Sequence, residues 1–168
     1  QVDWLSDERP AVVKRTIGTL VKAGNLDAVK GAKARIPALW SLNRIPGKSA
    51  RAAVRTFLKD ENPDVRMAAI HSAALWFDPD AVESLLGFLG SDDARERRLA
   101  AMALGRIGDR RAVKPLLAAG LAKADPFLKH AITYALYEIG IVLARVAAPG
   151  DQQSDAETDE GSSNLDED

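Results

Sequence analysis

The sequence holds 168 residues, with 23 Lys and Arg against 24 Asp and Glu, few aromatics and abundant alanine. That length supports one domain with a real core, and the composition favours close-packed helices over a β-sandwich. The absence of cysteine removes disulfides, thiolate zinc sites, thiol nucleophiles and covalent haem attachment from the functions open to this chain.

The chain opens at Gln1 without a charged-then-apolar leader, which reads as a segment cut or processed from a longer protein. Pro10 to Ala23, PAVVKRTIGTLVKA, reads as the first amphipathic helix through Val12, Thr16 and Leu20. It aligns with the helices that follow, down to the ending Asp27-Ala28-Val29, but only 22 residues separate it from the next copy. Its second helix is therefore expected to be truncated or absent, leaving an irregular cap.

From there the chain repeats itself. ALWSLNRIPGKSA, SAALWFDPDAV, MALGRIGDRRAV and YALYEIG fall into register at steps of 31, 31 and 32 residues. Ala38, Ala69, Ala100 and Ile132 share one column. Ser41, Ser72, Ala103 and Ala135 share the next, followed by Leu42, Ala73, Leu104 and Leu136, and then by Ile45, Trp76, Ile107 and Ile139. These columns sit at i, i+3, i+4 and i+7, one stripe of an α-helix that should face the core.

Asn62-Pro63 and Asp125-Pro126 read as N-caps with proline in the first turn, and Asp92 or Asp93 serves the helix between them. Pro46-Gly47, Asp78-Pro79 and Gly108-Asp109 break each repeat in two. Asp78 and Asp80 read as capping residues of that turn rather than as paired catalytic carboxylates. Ala81-Val82 and Ala112-Val113 open the second helices. At the far end IVLARVAA, residues 141–148, is expected to complete the last pair. No apolar run approaches the roughly 20 residues needed to cross a bilayer, so membrane insertion is not expected.

The expected fold is an all-α solenoid, a right-handed superhelix of about four helix pairs spanning residues 1–148. The repeats cover roughly 5–29 (truncated), 30–59, 60–91, 92–122 and 123–148. Residues 149–168 read as a disordered acidic tail, since 151–168 hold eight acids, no Lys or Arg and a single leucine. Without that stretch the chain carries 23 bases against 16 acids, about +7.

Val65-Arg66, Leu104-Gly105-Arg106-Ile107-Gly108-Asp109 and Ala112-Val113 resemble the signature of HEAT repeats, in the short bacterial form also seen in phycobilin lyases. The order ALWSLNRI, ARAAVRTFLKDENPDVRMAAIHSAALW, ALGRIGDRRAVKPLLAA, KHAITYALYEI is similar to one segment of large exported bacterial proteins. Those proteins join a β-propeller dehydrogenase-like domain, HEAT-like repeats and a c-type haem domain. The resemblance implies a spacer and docking segment in an exported or periplasmic setting. The haem chemistry does not carry over, because this chain has no cysteine, and the acidic tail departs from the family pattern.

The register also sorts the remaining side chains. His71 lies about 200° around the helix from the Ala69 column, in an outward column with Trp40, Met102 and Tyr134. Ile36, Met67, Arg98 and His130 form a second outward column, and Leu39, Ile70, Ala101 and Thr133 a third. An apolar face of this kind marks a docking surface for a protein partner or neighbouring domain, with Trp40, Met67, His71, Met102 and Tyr134 as its candidates. The alternatives are coverage by neighbouring helices, or a metal or catalytic site around His71 and His130, which no nearby column of acids would complete.

Arg35, Arg66, Arg97 and Lys129 share a column beside the core stripe. It reads either as a basic ladder for phosphates or as an internal ladder bonded to Asp60, Asp64, Asp92, Asp93 and Asp125 or to loop carbonyls. No phosphate-binding, dinucleotide-binding, serine-hydrolase or zinc-protease motif is present, and no cofactor or metal is expected. The chain is thus expected to be a non-catalytic interaction or scaffold module. The alternatives are a nucleic-acid-binding repeat domain using the basic body, and a chromophore-lyase-like helper.

Overall fold

A computed structural model describes residues 4–23, 34–122 and 124–147 of the chain. Its helices are α1 (Pro10–Ala23), α2 (Arg35–Asn43), α3 (Lys48–Thr56), α4 (Pro63–Leu75), α5 (Val82–Phe88), α6 (Ala94–Ile107), α7 (Val113–Leu121) and α8 (Pro126–Ala147). There is no strand among the described residues. The fold is an α-solenoid.

Local chemistry sets most of the boundaries. Asn62 accepts a hydrogen bond from the Asp64 N–H at 2.9 Å and starts α4, with Pro63 in its first turn. Asp93 accepts from the Arg95 N–H at 2.8 Å. Asp125 takes both the Phe127 and Leu128 N–H groups at 2.9 Å, and these bonds, with nearby Arg98 and Arg97, hold its carboxyl below the usual range. Asp78 and Asp109 cap the short 3-10 turns that lead into α5 and α7. Each such cap satisfies a donor that the helix cannot, and its loss costs about 1 kcal/mol.

The helices stack in order. α1 packs on α2, α2 on α4, α4 on α6 and α6 on α8, forming one layer of first helices. The second helices bridge between them, α3 against α2 and α4, α5 against α6, and α7 against α8. Ala38, Ala69, Ala100 and Ile132 are buried, as are Ser41, Ser72, Ala103 and Ala135. No single pair could cover such a stripe; each is covered by its neighbours.

Three expectations need correction. Leu39, Ile70 and Ala101 are fully buried, not outward. α2, α4 and α6, which carry these residues, each touch a second helix and two first helices, so this side is covered by the neighbouring first helix. Trp76 is half-buried at the C-cap of α4, not a core residue like Ile139. Its indole N–H needs a partner and donates to Asn43 Oδ1 at 2.9 Å, with Arg51 stacked 5.6 Å from the ring centre.

The expected second helix at 141–148 is not separate. α8 runs unbroken for 22 residues through Gly140, because no capping Asp or left-handed glycine follows that position as Asp109 and Gly108 do earlier. By length and composition alone α8 is also apolar enough to cross a membrane, but one such helix, packed against α6, does not support membrane insertion. Counting uninterrupted apolar residues missed it, since Lys129, His130 and Glu138 punctuate the helix. It packs lengthwise on α6. The Asp27-Ala28-Val29 ending and the acidic tail lie outside the described residues.

Candidate protein-docking face

The outer side of the first-helix layer gathers the five residues of the outward columns. Met67, Met102 and Tyr134 line a groove of about 600 Å³ with Arg98, Leu99 and Phe127. His71, Met102 and Tyr134 meet again in the adjoining hollow with Leu75 and Arg106. Trp40 extends the strip onto α2, its ring edge-on to His71 with centroids 6.1 Å apart. Met102 is 51% exposed and Tyr134 52%, so their apolar atoms meet water, an uncommon state for a contiguous patch.

Three residues of this face were not singled out from the sequence. Phe127 is 70% exposed at the start of α8, with the Arg98 guanidinium 5.5 Å from its ring centre. Tyr137 is exposed one turn beyond Tyr134. Phe77 is 54% exposed, lines a hollow with Tyr134 and Tyr137, and carries Arg106 5.5 Å from its ring centre. Its φ is +49°, where a residue other than glycine is disfavoured by roughly 1–2 kcal/mol. Gly108 fills the same turn one repeat later, at φ +76°. A phenylalanine in a column that otherwise reads Pro46, Gly108 and Gly140 was the available signal.

The Arg column is tied inward over most of its length. Arg35 donates to Asp60 at 3.1 Å. Arg66 donates to Glu96 at 2.7 Å and to the carbonyls of Asp60 and Glu61 at 2.9 Å. Arg97 donates to the Ser91 and Asp92 carbonyls at 2.7 and 3.0 Å. Lys129 is exposed and its ammonium has no partner among the described residues. Arg66 and Arg97 thus stitch their helices to the loop before them, Arg35 reaches the loop after its own repeat, and Arg66 also reaches the next repeat through Glu96. Elsewhere Arg55 reaches Asp78 at 2.7 Å and Arg111 reaches Asp109 at 2.6 Å.

His71 and His130 are both exposed, at different points of the face. No group of three or more metal-ligating side chains occurs among the described residues.

A family model described as HEAT repeats matches residues 30–101 and, overlapping it, 72–137. No curated protein matches the chain significantly. Among solved structures, the crystal structure of an engineered protein matches with a TM-score of 0.52 at 18% identity, over 82% of this chain and 77% of the other. At that identity the likeness concerns the fold alone.

Proposed function

Because the chain belongs to the HEAT-repeat family, whose repeats in general serve as protein-interaction scaffolds, we propose that it is a non-catalytic docking segment. Its binding surface is the apolar strip Trp40, Met67, His71, Met102 and Tyr134. The observation that carries this reading is the run of exposed Trp40, Leu75, Met102 and Tyr134 across α2, α4, α6 and α8, with half-buried Met67 and exposed His71 between them. Water leaves such a surface favourably when a partner covers it, at about 25 cal/mol per Å² of apolar area.

A larger multidomain protein, with this segment as spacer, is the context supported by the resemblance of the repeat signature. A protein is favoured over a nucleic acid by the use of the charges. Arg35, Arg55, Arg66, Arg95, Arg97 and Arg111 already bond to carboxylates or carbonyls. Arg98 and Arg106, which pair with no described carboxylate, stand among apolar side chains rather than in a continuous basic track of the kind that phosphates follow.

The test is a chain with Trp40→Ser, Met102→Ser and Tyr134→Ser combined. Met102 and Tyr134 are half-exposed, where each change costs about 0.5 kcal/mol, and Trp40, 37% exposed, adds about 1 kcal/mol for its covered part. Helicity should therefore be kept and the melting temperature should fall by about 5 °C or less, while binding of its natural partner is lost. A melting temperature lower by about 10 °C or more would show these residues to be internal packing and remove the proposal.

A further inference from the structure

Arg98, Met102 and Arg106 stand at i, i+4 and i+8 of α6 and so form one ridge along that helix. Eight residues at 1.5 Å per residue set the Cα atoms of the two arginines roughly 12 Å apart along the axis. Each lies over an aromatic ring, Phe127 or Phe77, and neither forms an ion pair with any described residue, in contrast to Arg66, Arg95 and Arg111. Glu138 lines the hollow beside Arg106 without pairing to it. Beside Arg98 the groove is lined by Met67, Leu99, Met102 and Tyr134, with Arg95 and His130 at its edge, and Arg106 lines the adjoining hollow that shares Met102 and Tyr134.

We infer that the occupant of this groove is an amphipathic helix carrying two carboxylates eight residues apart with an apolar side chain midway. Such a helix repeats its own i, i+4, i+8 ridge at the residue spacing of α6, so its two acids are set for the two arginines while the central side chain covers Met102. The two cations are held on aromatic faces, which orients them before the partner arrives and reduces the ordering cost of binding. A nucleic acid would present phosphates to the cations and stack bases on the exposed aromatics, but it carries no aliphatic side chain to fill the space between Met67, Leu99 and Met102. The chain's own stretch 151–168 has ample acid but only Leu165 to offer the groove.

The inference rests on the docking reading and names the partner's chemistry. Its test exploits the two methionines of the chain, Met67 and Met102, both of which line the groove. The full chain with labelled methionine methyls is titrated with an 18-residue leucine-striped helical peptide containing Glu-x-x-x-Leu-x-x-x-Glu, and with its twin bearing Lys for both Glu. Both methyl resonances should move saturably with the first peptide, and it should bind on the order of tenfold more tightly than the second.

Arg98→Glu with Arg106→Glu should reverse that preference, and Phe77→Gly, which relieves the left-handed turn, should keep the fold and weaken binding severalfold. Equal or tighter binding of the Lys peptide, still methyls, or larger methyl shifts with a single-stranded oligonucleotide would overturn the inference. So would shifts that grow with protein concentration alone, which name a second copy as occupant, or shifts on neutralising the acids of 151–168, which name the tail. A peptide failure leaves the docking reading standing, because the serine variants test that surface without reference to charge.

Discussion

Replacing Glu96 with alanine should lower stability by about 3 kcal/mol and the melting temperature by roughly 10 °C. The Glu96 side chain is 3% exposed. It accepts from Arg66 Nε at 2.7 Å and from the Ser91 hydroxyl at 2.6 Å. It therefore joins α4 of one repeat to α6 of the next through a charge pair that water hardly reaches. Removing one partner strands the other charge, which is costlier than removing both. Arg66 keeps its bonds to the Asp60 and Glu61 carbonyls, so the loss falls short of the extreme. Arg66→Met combined with Glu96→Leu should lie clearly above the sum of the single variants in thermal unfolding. Strict additivity would mean that the pair does not couple the repeats.

The second large effect concerns one methyl group. A Cβ built on Gly105 would lie 2.5 Å from the Ala135 Cα and 2.7 Å from its Cβ. The neighbour there is backbone, so α6 and α8 must separate to admit it. Alanine in a helix interior is otherwise favoured over glycine by about 1 kcal/mol. At this crossing the displacement outweighs that gain, and Gly105→Ala should destabilise by about 2 kcal/mol net. Gly87 and Gly140 are also helical, and nothing lies within 4 Å of a Cβ at either. Gly87→Ala and Gly140→Ala should therefore stabilise by about 0.5–1 kcal/mol. The same substitution changes sign according to what faces it, and denaturation of the three variants reads that sign directly.

Much of this was legible in the sequence because a repeat writes its core several times. The columns through Ala69, Ser72 and Ala73 identified the buried stripe, and Asn62, Asp93 and Asp125 identified helix starts. The internal ladder is one of two readings of the Arg column. Arg35 reaches Asp60, and Arg66 and Arg97 reach loop carbonyls, whereas the carboxylates of Asp64, Asp92, Asp93 and Asp125 take no part in it and Lys129 makes no such tie among the described residues. Glu96 was missed as the ladder's strongest partner. Its column reads Ala34, Val65, Glu96 and Leu128, and a lone acid among apolar residues at a core-adjacent position should have signalled a buried bond.

What the pattern left obscure depends on neighbours rather than on the helix itself. An angle around one helix does not reveal that Leu39, Ile70 and Ala101 are covered from the flank by the adjacent first helix. Nor does the column through Trp76 anticipate an indole that must stay near Asn43 to satisfy its N–H. α8 continues past Gly140 because nothing there ends it, and repeat logic alone had supplied a turn. The outward set Trp40, Met67, His71, Met102 and Tyr134 came from one angular argument. Phe77, Phe127 and Tyr137 join it only once the turns and the crossing of α6 and α8 are seen together.

The docking claim is met most directly by a photo-crosslinking residue placed at position 102 of α6, in the chain as its host cells produce it. A second chain carries the same residue at position 114, on exposed Lys114 of α7 in the opposite layer. Illumination should give a discrete, reproducible adduct with a protein or neighbouring domain from position 102 and not from position 114, and Arg98→Glu with Arg106→Glu should reduce it. No adduct from position 102, or equal labelling from both layers, would contradict a docking face on the first helices.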